Sequence, residues 1–462
     1  MIGTLGIFIS LILLIYLAYR GITVLVLAPL LAVVAVLFNG GVPVLASYTE
    51  VFMSSFAGYA KAYFPLFLLG AIFGKVMDDS GSAKAIAQAI VQRLGKERAI
   101  LAIVLSCALL TYGGVSLFVV AFAVYPIAAA LFREADIPKS LIPGSIALGS
   151  FTFTMTAIPG TPQIQNAIPM PYFGTDTYAA PIIGLVGAAI MFGGGVGWLN
   201  FRARRAQQQG RGYGDEQPEK LATADTEAST VLPAFMGALL PVLIVLGLNF
   251  LLSKVMFPAM DLSYLSDAPY NTSPDKVIGQ WSLILSVSVG ILSALALHWK
   301  RFSRPTESIN QGALGSLLAI INTCSEVGYG NVISKLPAFD IIKNSMLGIS
   351  SNPLISESIS ISVLAGITGS ASGGMSIALE ILGDTYLQMA QAVNLNPEVL
   401  HRVATIACGS LDALPHNGAV ITLLAICGLS HKEAYADIGM VAVVIPVAAT
   451  ASAVVLGSMG VV

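Results

Sequence analysis

The chain has 462 residues, 56% of them hydrophobic and only 10% charged, against about 25% charged in soluble domains, and its mean hydropathy is +0.81. A net charge of −2 gives no basic surplus for nucleic acid, and so little charge cannot cover a water-soluble globule, so the chain belongs in a bilayer. Four cysteines (Cys107, Cys324, Cys408 and Cys427) stand in apolar stretches without metal-ligand spacing; they read as small buried hydrophobes and imply neither a disulfide framework nor a cofactor.

A helix needs roughly 20 apolar residues to cross the hydrocarbon core, and the apolar stretches suffice for about ten crossings plus hairpins. Ile2 to Ala18 lacks a basic leading region and a small-residue cleavage site and reads as a retained first helix. The helix Tyr63 to Met77 leads into Lys75, Lys84, Arg93, Lys96 and Arg98, a cluster expected on the cytoplasmic side together with Arg133 and Lys139. Between them, Ile100 to Leu131 enters and returns to the same side. Its length of about 32 residues is too short for two crossings of roughly 20 each, and Thr111-Tyr112-Gly113-Gly114 breaks it, which predicts a re-entrant hairpin over 100–131.

Leu141 to Ile168 then crosses outward and must break at Pro159-Gly160-Thr161-Pro162, because proline lacks the helix donor and clashes with the preceding turn. Ala179 to Trp198 runs inward, closing a first half over 1–200. Residues 201–228, with Arg202, Arg204, Arg205 and Arg211 among polar neighbours, read as a mobile cytoplasmic linker. In the second half, 229–462, Val231 to Leu252 and Ile278 to Leu297 cross out and back. They leave Lys254 to Lys276, with Asp261, Asp267 and Asp275, outside and Lys300, Arg301 and Arg304 inside. Ala313 to Ile333 crosses outward and Leu336 to Ser345 is expected as an amphipathic surface segment. Ile355 to Met389 forms an outside-facing hairpin over 355–389 with its tip at Thr368 to Gly374. Val403 to Cys427 crosses inward with a break at Pro415-His416-Asn417-Gly418, and Ile438 to Leu456 exits, so both termini are expected outside.

The two halves answer each other. Gly113-Gly114-Val115-Ser116 recurs as Gly373-Gly374-Met375-Ser376 (373 − 113 = 260), Ala157-Ile158-Pro159 as Ala413-Leu414-Pro415 (415 − 159 = 256), and Phe73-Gly74 as Tyr329-Gly330 (329 − 73 = 256). Paired breaks at matching places in two halves point to a transporter's binding site. The expected fold is therefore an all-α polytopic membrane protein, an inverted repeat with two re-entrant hairpins and two broken transmembrane helices.

Helix ends inside a membrane leave N–H and carbonyl groups unpaired, N-termini suiting a carboxylate and carbonyl ends a cation. The side chains at the breaks are nearly all neutral. Expected substrate contacts are Gly113, Gly114, Ser116, Thr156, Pro159, Gly160, Thr161, Gln163 and Asn166 in the first half, and Ser370, Ser372, Gly373, Ser376, His416 and Asn417 in the second, with Gln165 and Ser410 beside them. Thr111, Ser116, Thr368, Ser372, Asp412 and His416 are the candidates for coupling a cation, either a proton or a sodium ion held at the hairpin tips. No lysine or arginine falls inside a tip or a broken crossing, which favours a small monocarboxylate over a dianion. Asp412 and His416 are four apart and could pass a proton; equally, Asp412 could cap the broken helix while His416 donates to a carbonyl. Glu326 falls in an outward crossing and could line the site, whereas Glu357 and Glu380 on the hairpin arms are expected to bridge helices or face outer water.

An enzyme is disfavoured: no H-E-x-x-H occurs, and Gly369-Ser370-Ala371-Ser372-Gly373 carries alanine where a nucleophile elbow needs its nucleophile. A channel is disfavoured because polar residues gather at two breaks and do not stripe several helices. The order of Phe64-Pro65-Leu66-Phe67-Leu68-Leu69-Gly70, Thr111 to Ser116, Thr156 to Gln163 and Ser410 to Asn417 resembles the gluconate permease (GntP-type) family of the ion transporter superfamily over nearly the whole chain. Within it, the closest resemblance is to the D-3-hydroxybutyrate permeases. The resemblance implies a homodimer in the bacterial inner membrane, with a scaffold and two moving transport domains that carry substrate by an elevator-like displacement. It also implies sites at Gly113 to Ser116, Thr368 to Ser376, Pro159 to Asn166 and Asp412 to Asn417. Gluconate-type members carry histidines and a double proline where this chain has Ala157-Ile158-Pro159-Gly160-Thr161-Pro162, which suits a short hydroxy acid better than a polyol acid.

Overall fold

The computed structural model describes residues 2–20, 22–214, 232–341 and 348–462, and every regular element among them is a helix. In chain order the first half contains α1 (Ile2–Tyr19), α2 (Val24–Phe38), α3 (Val44–Asp79), α4 (Ser82–Leu94), α5 (Ala99–Tyr112), α6 (Leu117–Glu134), α7 (Leu141–Ser150), the single turns α8 (Phe153–Thr156), α9 (Ile164–Ala167) and α10 (Met170–Phe173), and α11 (Pro181–Gln208). The second half contains α12 (Phe235–Ala259), α13 (Pro274–Arg301), α14 (Pro305–Ser334), α15 (Pro353–Thr368), α16 (Ala371–Ala392), α17 (Pro397–Cys408), α18 (Gly418–Cys427) and α19 (His431–Ser458). Among the described residues five helices, α3, α11, α12, α13 and α19, are long and apolar enough to cross a membrane. Leu30, Leu185, Met236, Leu292 and Leu318 are all more than half exposed, an apolar surface suited to lipid and not to water.

The centre of the fold is the pair α3 and α14, which lie antiparallel and almost touch. A Cβ at Gly312 would stand 2.7 Å from Ile72 Cα, and one at Gly328 would stand 3.0 Å from Phe52 O, so glycine is what lets the backbones approach. α14 spans 30 residues yet is not among the five apolar helices. Asn322, Thr323, Ser325, Glu326 and Asn331 interrupt its hydrophobic run, and from Thr323 to Ile333 it is buried against protein.

The helices that sequence patterning expects to be interrupted are interrupted. α5 stops at Tyr112 and α6 resumes at Leu117, with Gly114 at φ +95° turning the chain. The outward stretch from Leu141 breaks earlier than its prolines require: α7 ends at Ser150, and Thr152 leaves helical geometry, its hydroxyl donating back to Leu148 O at 2.7 Å. Pro159, Gly160 (φ +83°) and Pro162 then keep the chain irregular until α9. In the second half α17 stops at Cys408 and α18 starts after Asn417.

Two expectations are corrected. The second hairpin turns at Gly369 and Ser370, not across Thr368 to Gly374; Ser372, Gly373, Gly374 and Ser376 are already helical in α16. The stretch read as a mobile linker from 201 is helical through Gln208, because Arg202 reaches the buried Asp437 of α19 at 2.8 Å. Residues 215–228 of that linker, and 342–345 of the expected amphipathic segment, lie outside the described residues.

Basic residues gather at one end of the bundle. Lys96 pairs with Glu134 at 3.7 Å, Arg93 stacks 4.8 Å from the Phe235 ring, and Tyr213 N donates to Asp136 at 3.0 Å. Lys75, Arg301 and Arg304 share one surface recess. At the other end of α12, the end that leads into the loop before α13, Lys254 pairs with Asp176 of the segment before α11 at 2.7 Å.

Candidate functional site

Each hairpin tip rests on the break of a neighbouring helix in its own half. At the first tip Gln163 Nε2 donates to Thr111 O at 2.7 Å and more weakly to Val115 O at 3.5 Å, and Tyr112 OH donates to Pro159 O at 2.8 Å. A Cβ at Gly114 would lie 3.1 Å from Pro162 Cγ. α3 closes the third side, where a Cβ at Gly74 would stand 3.3 Å from Ser116 N. Ser116 is the N-cap of α6 but makes no side-chain cap bond, so the first N–H groups of that helix are left available.

At the second tip Asn417 Nδ2 donates to Gly369 O and to Asp412 O, both at 2.9 Å, while its Oδ1 accepts from Val420 N at 3.0 Å and caps α18. Gly369 (φ +64°) lies against His416: a Cβ there would meet His416 Cδ2 at 2.9 Å. Ser370 caps α16, its Oγ accepting from Gly373 N at 3.0 Å. Gln163 and Asn417 are thus both N-caps of the helix that resumes after a break (417 − 163 = 254), and Ser116 and Ser370 both N-caps of the second hairpin arm (370 − 116 = 254). The Gly-Gly pairs therefore do not correspond in role. Gly113-Gly114 is the first turn itself, whereas Gly373-Gly374 sits one turn into α16, where Gly373 meets the Glu326 carboxylate and Gly374 meets the Ala365 backbone.

The two breaks touch, since a Cβ at Gly409 would stand 2.9 Å from Thr156 Cγ2. Beside that contact lies a group that patterning alone missed. Arg402, with no exposed surface, donates through Nε to Ala179 O (3.0 Å), through Nη1 to Asn166 Oδ1 (3.1 Å) and Thr156 O (3.5 Å), and through Nη2 to Ala179 O (2.7 Å) and Thr177 O (3.3 Å). All five guanidinium N–H groups are committed. His401 donates from Nε2 to the same Asn166 Oδ1 at 3.1 Å, and its Nδ1 is hydrogen-bonded to Thr175 Oγ1 at 2.6 Å. The available signal was a lone arginine, next to His401, in the largely apolar run Val399 to Cys408, one residue before the crossing expected from Val403.

The expected ligand groups divide into free and spent. Thr111 Oγ1, Thr161 Oγ1, Gln165 Oε1, Asp412 Oδ1 and His416 Nε2 are buried without a partner. Among the described residues no hydrogen bond joins Asp412 to His416. Asn166 is not available to a ligand, because its amide also donates to Thr161 O (3.0 Å) and Thr177 O (2.9 Å) and all four of its hydrogen-bonding positions are filled. The hydroxyls of Thr156, Thr368, Ser376 and Ser410 bond to main-chain carbonyls one turn back. Ser372 is half-buried on the outer side of the second tip, 3.5 Å from Ser370 Oγ. Glu380 does bridge elements, accepting from Tyr172 OH at 2.7 Å. Glu357 neither bridges nor faces water: it has no exposed surface, and neither oxygen has a partner.

The family description "GntP family permease" matches residues 2–459. The chain is 46% identical over 439 residues to the uncharacterized transporter YxjC of Bacillus subtilis, covering 92% of this chain and 93% of that protein. It is 24% identical over 367 residues to an uncharacterized transporter of Haemophilus influenzae, covering 78% and 76%. Among solved structures, the YdaH transporter of Alcanivorax borkumensis, whose crystal structure revealed an unusual topology, aligns over 100% of this chain and 98% of its own at 12% identity with a TM-score of 0.49.

Proposed function

Because the chain belongs to the GntP family of permeases, we propose that it is a secondary active transporter importing a small organic monocarboxylate, 3-hydroxybutyrate foremost, with a co-transported proton or sodium ion. That it is a multi-pass membrane transporter and not an enzyme follows from the family itself. The observation that carries the substrate class is the state of the basic residues at the breaks. Arg402, the one buried arginine among the described residues, has every donor spent on carbonyls and Asn166, so the groups left for a ligand are helix N-termini, the Thr111 and Thr161 hydroxyls and the Asp412–His416 loop. Such a set suits a single carboxylate with a small polar tail and lacks the cationic side chain a dianion needs.

Several features support a re-entrant, inverted arrangement. α5 has 14 residues, about 21 Å of rise, too short for a hydrocarbon core of about 30 Å, and its start lies beside the end of α6 through Lys96 and Glu134. α15 has 16 residues, and the repeated interval of 254 between capping residues favours two related halves. The basic end of the bundle then faces the cytoplasm of a bacterial inner membrane, with both termini outside. The homodimer and the elevator-like displacement rest on the family resemblance.

Reconstitution into proteoliposomes under separately imposed sodium and pH gradients, with labelled D-3-hydroxybutyrate competed by gluconate, tests the reading. The expected result is accumulation driven by one gradient and displaced weakly by gluconate. Uptake that needs neither gradient, or that prefers gluconate, overturns it.

A further inference from the structure

Glu326 lies two-thirds of the way along α14 with 6% of its surface exposed, and its Oε2 has no hydrogen-bond partner. The carboxylate abuts the first turn of α16, filling the space in which a side chain at Gly373 would begin, and Ser370 Oγ borders the same spot at 3.0 Å from that position. Only glycine at 373 leaves room for it. α16 runs for 22 residues, and its first N–H groups carry about half a unit of positive charge. A carboxylate held there answers that dipole. It also stands at the helix end which, on the transporter reading above, is offered to the substrate's own carboxylate.

No basic side chain balances it among the described residues. The titratable groups around it are Tyr59 of α3, which itself stacks on Tyr63, and Cys324 and Tyr329 on its own helix. α1 and α15 bring Thr4, Thr368 and aliphatic side chains to the adjoining cavity of about 510 Å³, and α16 adds Ser370 and Ser376. His416 touches the tip from its opposite side, at Gly369.

We propose that Glu326 is the proton-coupling carboxylate, acting by competition with the transported anion for the N-terminal end of α16. Ionised, it holds that end and keeps the substrate out. When a proton binds to the carboxylate, the helix end is released and the substrate carboxylate takes it. The charge facing the helix end is then minus one whether the carrier is empty (ionised Glu326) or loaded (neutral Glu326 plus substrate anion). One proton crosses with each monoanion, no net charge moves, and the membrane potential by itself drives nothing.

The test begins with the wild-type protein in detergent and D-3-hydroxybutyrate as the probe. Calorimetric titration in two buffers of different ionisation enthalpy should show one proton taken up per anion bound, with affinity falling about tenfold per pH unit once Glu326 ionises. Zero protons taken up by a wild type that binds the probe overturns the inference. Glu326→Gln should keep counterflow exchange, bind with no dependence on pH, and lose accumulation under an imposed pH gradient. A variant that still accumulates to the wild-type level with wild-type pH dependence also overturns it, and if the variant does not fold, the calorimetry decides alone. Sodium-driven, pH-indifferent uptake by the wild type refutes the role of Glu326 while leaving the transporter reading intact. Failure of the wild type to bind or carry any monocarboxylate refutes that reading instead.

Discussion

Arg402 Nη1 lies 3.1 Å from Asn166 Oδ1, so a guanidinium on α17 of the second half holds the resumed turn α9 of the first. The same guanidinium gathers Thr156 O of the broken helix and Thr177 O and Ala179 O of the segment that leads into α11. Arg402→Met should orphan Thr156 O and Ala179 O at about 1–3 kcal/mol each, while Thr177 O keeps Gly160 N and Asn166 Nδ2, and the loss should lower the yield of folded protein severely. Arg402→Lys, with three donors for five, should fare only slightly better. Size-exclusion yield in detergent is the readout, and a monodisperse Arg402→Met variant with wild-type uptake would refute the clamp.

The amides of Gln163 and Asn417 latch the tips to the breaks. Gln163→Ala removes the short bond to Thr111 O at 2.7 Å, at about 1 kcal/mol of stability, whereas Asn417→Ala removes the bonds to Gly369 O and Asp412 O at 2.9 Å and the cap on Val420 N, at about 2–3 kcal/mol. Each should raise the KM for uptake several-fold, with a drop in thermal midpoint that is small for Gln163→Ala and larger for Asn417→Ala. An unchanged KM in both variants would separate the tips from substrate binding.

Gly369→Ala combines a left-handed backbone at φ +64° with a new methyl 2.9 Å from His416. The backbone part costs about 1–2 kcal/mol. The displaced imidazole should depress uptake well beyond that, by tenfold or more. Gly418→Ala, whose methyl would meet nothing within 4 Å, is the matched control and should transport normally.

All four native cysteines are buried, so added ones can be read against a quiet background. In intact cells Ser266→Cys, in the loop between α12 and α13, should react with a membrane-impermeant maleimide. Gln209→Cys, beyond the end of α11, should react only after permeabilisation. Both positions are exposed in the structure, and labelling of both from the same side would contradict the orientation drawn from the basic end.

Sequence patterning found what proline and glycine dictate: the turn at Gly113-Gly114, the interruptions at Pro159 and Pro415, and the hairpin read from Ile355, whose first arm starts at Pro353. It misplaced the second tip because Gly373 and Gly374 look like a turn when their purpose is clearance, for a carboxylate from α14 and for the backbone of α15. Nothing local marks that difference, since the partner lies about 50 residues away in sequence for Glu326 and is the facing arm for Ala365. Arg402 escaped notice for a similar reason. Its partners at Thr156, Asn166, Thr177 and Ala179 are more than 220 residues earlier, a separation that periodicity cannot bridge.

The glycine-lined contact between α3 and α14 has a mechanical corollary. α3 leans on the first tip at Ser116 and α14 on the second at Gly373, while Gly312 against Ile72 and Gly328 against Phe52 leave those two helices almost no freedom to slide. A shift of either tip would therefore be felt at the other as a movement of its own footing.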